Sequence, residues 1–388
     1  MTKDWSSRAL DIESFKVMDL LKRARELEAA GCDVVHMEVG EPDFPTAAPV
    51  AAAAREAIDR GLTQYTPAAG VPELRQAIAG FYRQRYGLDI APERIIVTAG
   101  ASAALLMVFA LLADAGQQFM MADPGYPCNR QFLRLVEARG QLVPVDADSN
   151  FQLTPRLVAE HWRPATAGVL LASPANPTGS VLHEAELRAL AQSVRAQGGR
   201  LVVDELYHGL TYGMDAPTVL QVDPQAFVIN SFSKYFGMTG WRLGWIVAPE
   251  DAIPHLERLA QNLYISPTTV SQYAALAAFE PEALEIFEAR RRAFGERRDL
   301  LLKGLRALGF GVPVAPEGAF YIYADVSALT DNAFDFCWDL LERDHLAVTP
   351  GLDFGRHRCN EFVRFSYTTS LERIELGLER LRRRLKAS

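Results

Sequence analysis

Lys234 lies in the run SFSKYFGMTGWRLGW, Ser231 to Trp245, which combines two serines, several glycines and, eight residues past the lysine, Arg242. Hydroxyls, glycine amides and a guanidinium are the groups that hold a phosphate dianion. The apolar lead-in Ala226-Phe227-Val228-Ile229 argues against a purely solvated lysine. A lysine beside such a site suits a Schiff base to an aldehyde cofactor that carries a phosphate, which is pyridoxal phosphate. An ordinary lysine in a surface loop is the plainer reading, and the length of the run disfavours it. Asp204 closes the apolar stretch Leu201-Val202-Val203, where an unpaired carboxylate is costly. A pyridinium N–H would pair with it and keep the ring electron-withdrawing; the alternative is a cap on the following helix. Gly100-Ala101-Ser102 joins a strand pattern to a helix pattern, so the Ala101 and Ser102 amides would face an anion at a helix N-terminus. Ser231, Ser233 and Arg242 supply the remaining candidate contacts to a phosphate.

These residues need a frame that puts strand ends and loops together. Between about residues 50 and 280, short apolar runs alternate with longer amphipathic ones. Residues 94–97, 118–121, 141–143, 168–171, 201–203 and 227–229 read as strands; 105–113, 129–139 and 184–197 read as helices. Buried strands separated by helices predict an α/β, three-layer unit with a mostly parallel sheet covered by helices. Functional side chains then belong at strand ends and in the loops that follow. Beyond it, 284–308 reads as a long helix ending at Gly309, 320–323 and 362–365 as strands, and 371–385 as a closing helix. Residues 15–30 form an early amphipathic helix closed by Gly31.

Composition narrows the function classes. A chain of 388 residues implies about two domains. With 49% hydrophobic and 23% charged residues it reads as a soluble globular protein. The net charge of −8 gives no basic field for nucleic acid or an anionic membrane. Arg290 to Arg298 holds five arginines, but interleaved Glu288 and Glu296 make it read as a solvated helix face. The N-terminus, MTKDWSSRALDIESF, has no apolar core of signal-peptide length, and no apolar stretch in the chain reaches the roughly 18 residues of a membrane span. Cys32, Cys128, Cys337 and Cys359 show no pair spacing and read as reduced thiols, which points to the cytoplasm. Seven histidines form no metal-binding pattern, so no metal is expected.

The motifs GEPDFPT from Gly40, YTPAAGVPELR from Tyr65, VTAGASAAL from Val97, DPGYP from Asp123, SPANPTG from Ser173, VVDELY from Val202, the lysine run, and VRFSYTTS from Val363 follow in order. Together they resemble the class I/II pyridoxal phosphate-dependent aminotransferases of fold-type I. The resemblance covers nearly the whole chain. It implies a smaller α+β domain built from both chain ends, with boundaries at 1–45, 46–280 and 281–388. It implies that Tyr207 and Asn176 donate to the cofactor's phenolic oxygen and that Tyr126 stacks on its ring. Asn176 is also good turn chemistry, and Tyr126 has a core tyrosine as its alternative. Arg364 matches the arginine that grips the substrate α-carboxylate, with Gly40 and Asn176 assisting. Tyr65 matches a tyrosine reaching the phosphate of the neighbouring subunit, which implies a homodimer with shared active sites. The expected reaction moves an amino group from an L-amino acid to a 2-oxo acid by a ping-pong mechanism. Phe15, Lys16, Val17, Phe44 and Phe320 would line the entrance and favour neutral or aromatic side chains. Two rivals remain open: a carbon–sulfur β-lyase of the same fold, and a non-enzymatic effector-binding module. The second usually carries an extra DNA-binding domain, and here the fold begins within about fifteen residues.

Overall fold

The computed structural model describes residues 5–387. Residues 1–4 and 388, which belong to the stretches read above for a leader and for the outer domain limits, lie outside them.

Seven strands form the central sheet: β1 (Ile95–Thr98), β2 (Gln118–Asp123), β3 (Arg139–Pro144), β4 (Thr166–Ala172), β5 (Arg200–Asp204), β6 (Phe227–Ser231) and β7 (Gly244–Val247). Their spatial order is β1-β7-β6-β5-β4-β2-β3. Every pairing is parallel except the two made by β7. Side chains alternate across the sheet with period two. Leu201 and Val203 of β5 therefore enter one core, with helices Pro72–Tyr86 and Glu184–Ala196. Val202 enters the other, with helices Gly100–Leu112 and Ile253–Leu263. Both faces are covered, which is why these strands read as unbroken apolar runs.

Three elements depart from the sequence reading. The helix expected at 105–113 begins five residues earlier, as Gly100–Leu112. A strand not read from the sequence closes the lysine run: Gly244 opens β7, which folds back antiparallel on β6 in register Ser231↔Gly244. Both ends of the run are thereby pinned to neighbouring strands. The helix expected at 129–139 is Cys128–Leu135. Glu137 takes a left-handed φ of 63°, which ends the helix, and Arg139 already belongs to β3.

A second, smaller unit draws on both chain ends. Strand Phe362–Ser366 is central in a three-stranded antiparallel sheet, between Thr349–Pro350 and Tyr321–Asp325. Val35–His36 pairs in parallel with Leu346–Ala347. Helix Lys16–Ala29 buries Leu20, Ala24 and Leu27 against Leu341 and Ala347. The fold is thus α/β, with a mostly parallel sheet in three layers and a smaller α+β unit packed beside it. No helix among the described residues is long and apolar enough to cross a membrane.

The arginine run on helix Pro281–Ala307 is not a solvated face. Arg297 is buried and donates to both carboxylate oxygens of Asp43, at 2.7 and 3.0 Å. Arg290 donates to Pro45 O at 2.8 Å, and both guanidiniums lie over the Phe44 ring. The helix holds the GEPDF loop, a contact across more than two hundred residues that charge patterning alone does not show.

Candidate active site

The carboxyl ends of β5 and β6, the start of the helix after β1, and the central strand of the small sheet meet at one cleft of about 300 Å³. Its walls include Gly40, Ala101, Ser102, Tyr126, Asn176, Asp204, Tyr207, Ser231, Ser233, Lys234, Arg242 and Arg364. These residues come from segments spread over most of the chain, and the fold brings all of them together. Tyr65 is not among them; it is 79% exposed on the chain's surface.

Lys234 enters from the loop after β6. Its Nζ donates to Gly40 O at 2.6 Å and sits 6.0 Å from the Tyr207 ring and 5.6 Å from the Phe320 ring. Burial lowers its pKa to about 8, with Glu41 opposing the fall and Arg364 and Arg242 adding to it. Asp204, at the end of β5, is buried and accepts one hydrogen bond, from the Leu206 N–H to Oδ1 at 3.1 Å. Burial pushes it up to about 7, because one amide and a nearby lysine do not replace lost hydration. It does not cap a helix: the chain turns after it.

The opposite wall is cationic. Arg364 is 2% exposed, with its guanidinium 4.2 Å from the Tyr321 ring centroid and 4.7 Å from that of Phe354. Nη1 donates to Asn176 Oδ1 at 3.0 Å, and Nη2 to the Glu38 carbonyl and the Thr349 hydroxyl. Nε is buried without a partner. A guanidinium held only by neutral acceptors keeps its charge for an incoming anion. Tyr207 Oη and Tyr321 Oη share a hydrogen bond at 2.9 Å, and burial holds Tyr207 well above the usual phenol range, so it stays a donor. Tyr126 meets Phe15 edge-on at 6.1 Å.

At the third wall, the helix Gly100–Leu112 starts without a side-chain cap, so its first amides remain available. Gly100 has φ +81°, and a Cβ there would lie 2.6 Å from Arg242 Nη2. The missing side chain makes room for the arginine. Arg242 itself takes φ 50° and donates to Thr239 O at 2.9 Å. Ser231 Oγ donates to Ser233 Oγ at 3.0 Å.

The expected entrance needs revision. Phe15 and Val17 line the cleft, joined by Met18 and Val39. Lys16 does not: its Nζ donates to Ser14 Oγ at 3.0 Å. Phe44 packs on Phe294 at 5.4 Å, and Phe320 packs on Tyr207, below the lining. The neighbour of Phe320 does the lining instead. Tyr321 is the first residue of strand Tyr321–Asp325 and Phe320 precedes it in a turn, so the strand alternation read over 320–323 could not assign their sides. Glu38, Thr349 and Phe354 also escaped the sequence reading, since their contacts to Arg364 depend on segments far apart in the chain.

A buried carboxylate with a single amide partner, an uncapped helix start beside serines and an arginine, and a lysine of lowered pKa fit a flat, phosphate-bearing aldehyde ring. Fold and site together define an enzyme of fold-type I that moves amino groups. The comparisons agree. The model of the family "aminotransferase class I and II" matches residues 32–381. A valine–pyruvate aminotransferase of Mycobacterium tuberculosis is 40% identical over 373 residues, covering 95% of this chain and 96% of its own. An aspartate/prephenate aminotransferase of Thermus thermophilus is 38% identical, covering 93% of each. Among solved structures, an aminotransferase from Mycobacterium tuberculosis superposes with a TM-score of 0.96 at 38% identity, covering all of both chains. The aspartate aminotransferase of Thermus thermophilus with maleate gives 0.93 at 34%, covering 98% of this chain and 100% of its own. The chain belongs to the class I and II aminotransferases, a family that is generally pyridoxal phosphate-dependent and usually dimeric. The relatives are named enzymes of amino-group transfer, so the non-enzymatic reading is set aside.

Proposed function

We propose that the protein binds pyridoxal 5′-phosphate at Lys234 and transfers the amino group of an L-amino acid with a neutral, apolar or aromatic side chain to a 2-oxo acid. The observation that carries this reading is the joint presence of Lys234, Asp204 and Arg364 in one cleft, from three different elements. When bound, the cofactor supplies an electron-withdrawing ring that acidifies the substrate Cα–H. Asp204 would hold the ring nitrogen N–H, which gives its carboxylate the cation it lacks. Tyr207 and Asn176 would donate to the phenolic oxygen. The Ala101 and Ser102 amides, Ser231, Ser233 and Arg242 would hold the phosphate, and Tyr126 would cover one face of the ring. Arg364, with Gly40 and Asn176 beside it, orients the α-carboxylate so that Cα–H faces Lys234. Lys234 Nζ, whose pKa burial lowers to about 8, takes that proton when it is a free base. Amino acid and oxo acid use the same clamp in turn, which gives ping-pong kinetics.

The side-chain preference rests on the lining. Lys234, Arg242 and Arg364 are the cleft's cationic residues among those described, and all three have tasks. None is left for a distal carboxylate, while Phe15, Val17, Met18 and Val39 offer apolar surface. The named relatives differ in substrate, so their names do not decide the point.

We further propose a cytoplasmic homodimer divided at 1–45, 46–280 and 281–388, in which exposed Tyr65 reaches the partner's phosphate site. Mixed dimers of Tyr65→Phe and Lys234→Ala would then regain activity, since one site carries both lesions and the other neither. Verified mixed dimers with no recovery would show that Tyr65 does not act across subunits. The reaction itself is tested by a panel of amino donors against several 2-oxo acids with product identification. Pyruvate and ammonia released without an acceptor would instead favour the β-lyase. Strong preference for aspartate or glutamate would overturn the side-chain assignment.

A further inference from the structure

Glu41 is a charged group of the cleft that the chemistry above leaves without a task. Its Oε1 accepts a 2.6 Å hydrogen bond from Thr239 Oγ1. Thr239 belongs to the lysine run, and its carbonyl accepts from Arg242 Nη1 at 2.9 Å. The preceding carbonyl, Gly40 O, accepts from Lys234 Nζ at 2.6 Å. Two hydrogen bonds therefore join the Gly40–Glu41 corner to the lysine loop, one on the amine and one on the carboxylate. The next turn of the same segment is fixed by the Asp43–Arg297 pair and by Phe44 under two guanidiniums. A corner held at both ends presents its charge from a defined place.

We propose that Glu41 is a positioning residue for Lys234: fixed by Thr239, its carboxylate favours the ammonium form of the unlinked lysine and so sets the pH at which Nζ becomes a free base. The proposal rests on the reading of Lys234 as the reactive amine. The groups that face Nζ come from several elements. Arg364 on the small sheet and Arg242 in the lysine's own run disfavour its charge; Asp204 at the end of β5 and Glu41 favour it. Tyr207 and Phe320 present their rings. Burial has the larger effect on Lys234, and Glu41 opposes it from an exposed position held by Thr239. Asp204 is assigned to the ring nitrogen, which leaves Glu41 as the carboxylate that answers to the lysine.

The test uses the full-length chain stripped of cofactor. Competitive acetylation with acetic anhydride, read by mass spectrometry of the Lys234 peptide, gives the pH midpoint of that one amine. In Glu41→Gln the midpoint is expected to fall by about half a unit to one unit, so labelling at neutral pH quickens roughly three- to tenfold. Glu41→Asp should fall between Gln and wild type. Thr239→Val should shift the midpoint the same way by less, because the carboxylate loses its anchor but not its charge. An unmoved midpoint in a folded Glu41→Gln protein overturns the proposal. Should that variant not fold, Thr239→Val decides, and an unmoved midpoint there overturns it equally. The assay needs no bound cofactor. Failure of the cofactor reading would appear separately, as a colourless wild-type protein that takes up no pyridoxal phosphate.

Discussion

Two arginines bound the cleft, and their surroundings are opposite. Arg364 is 2% exposed, stands between two aromatic rings and holds three neutral acceptors. Arg242 is exposed, has one backbone acceptor and sits in a strained left-handed conformation beside a glycine. A buried guanidinium acts through geometry, because its planar fork is fixed and water does not compete. An exposed one acts mainly as a charge beside backbone amides, and salt weakens it. On the proposed reading, the Arg364 end of the site should therefore discriminate between substrates, and the Arg242 end should retain the cofactor.

The contrast presupposes the reactive centre between the two ends, and breaking that centre gives the largest effect. Lys234→Ala should lose at least a thousandfold in turnover by losing the base, and borohydride should no longer fix cofactor to the chain. A label on another lysine in the wild-type protein would undo the assignment. Asp204→Ala comes next. The ring nitrogen loses its anion, and kcat should fall by about a hundred- to a thousandfold with folding intact. Near-normal kinetics would make Asp204 merely structural.

The paired test sharpens the comparison itself. Arg364→Lys keeps a charge but loses the fork, so kcat/KM should fall by about a hundredfold while cofactor retention is unchanged. Arg242→Lys should leave kcat nearly intact in excess cofactor, weaken cofactor binding by about tenfold, and make that loss worse at high salt. Equilibrium dialysis and steady-state kinetics on both variants separate the outcomes. If the two substitutions change the same parameter, burial does not divide their roles.

The smallest effect lies behind the clamp. His36 Nδ1 is 2.7 Å from Glu38 Oε1, and this contact, helped by Glu28, raises the His36 pKa to about 9. The folded value lies above the unfolded one. Its stabilisation is therefore complete below about pH 6.5 and fades as pH rises through 9. His36→Asn should lower Tm by a few degrees at neutral pH and by almost nothing near pH 10. A Tm difference that stays constant with pH would contradict the linkage.

Local signals carried much of this. Lys234, Asp204 and the Gly100–Ser102 turn were legible because each sits where an apolar strand pattern ends, and a parallel sheet puts its chemistry there. The placing of Tyr126, Asn176 and Arg364 at one site came from resemblance; their contacts did not. The Arg290–Arg298 run was misread because the interleaved Glu288 and Glu296 describe the charge of one helix only, while its partners Asp43 and Pro45 come from the other end of the chain. The antiparallel turn into β7 was hidden because a four-residue apolar strand has no direction in sequence.

By itself the sequence determined the alternation of buried strands and helices, and with it the sheet, its two cores and the strand ends at which charged residues would gather. Periodicity and hydrophobicity are local, so a single pass along the chain records them. Only the tertiary structure decided that Tyr321 rather than Phe320 faces the cleft, that Arg364 is held by Glu38, Thr349 and Asn176, and that Glu41 is tied to the lysine loop. Those contacts join residues far apart in the chain, and their energies depend on distances that exist only once both units have packed.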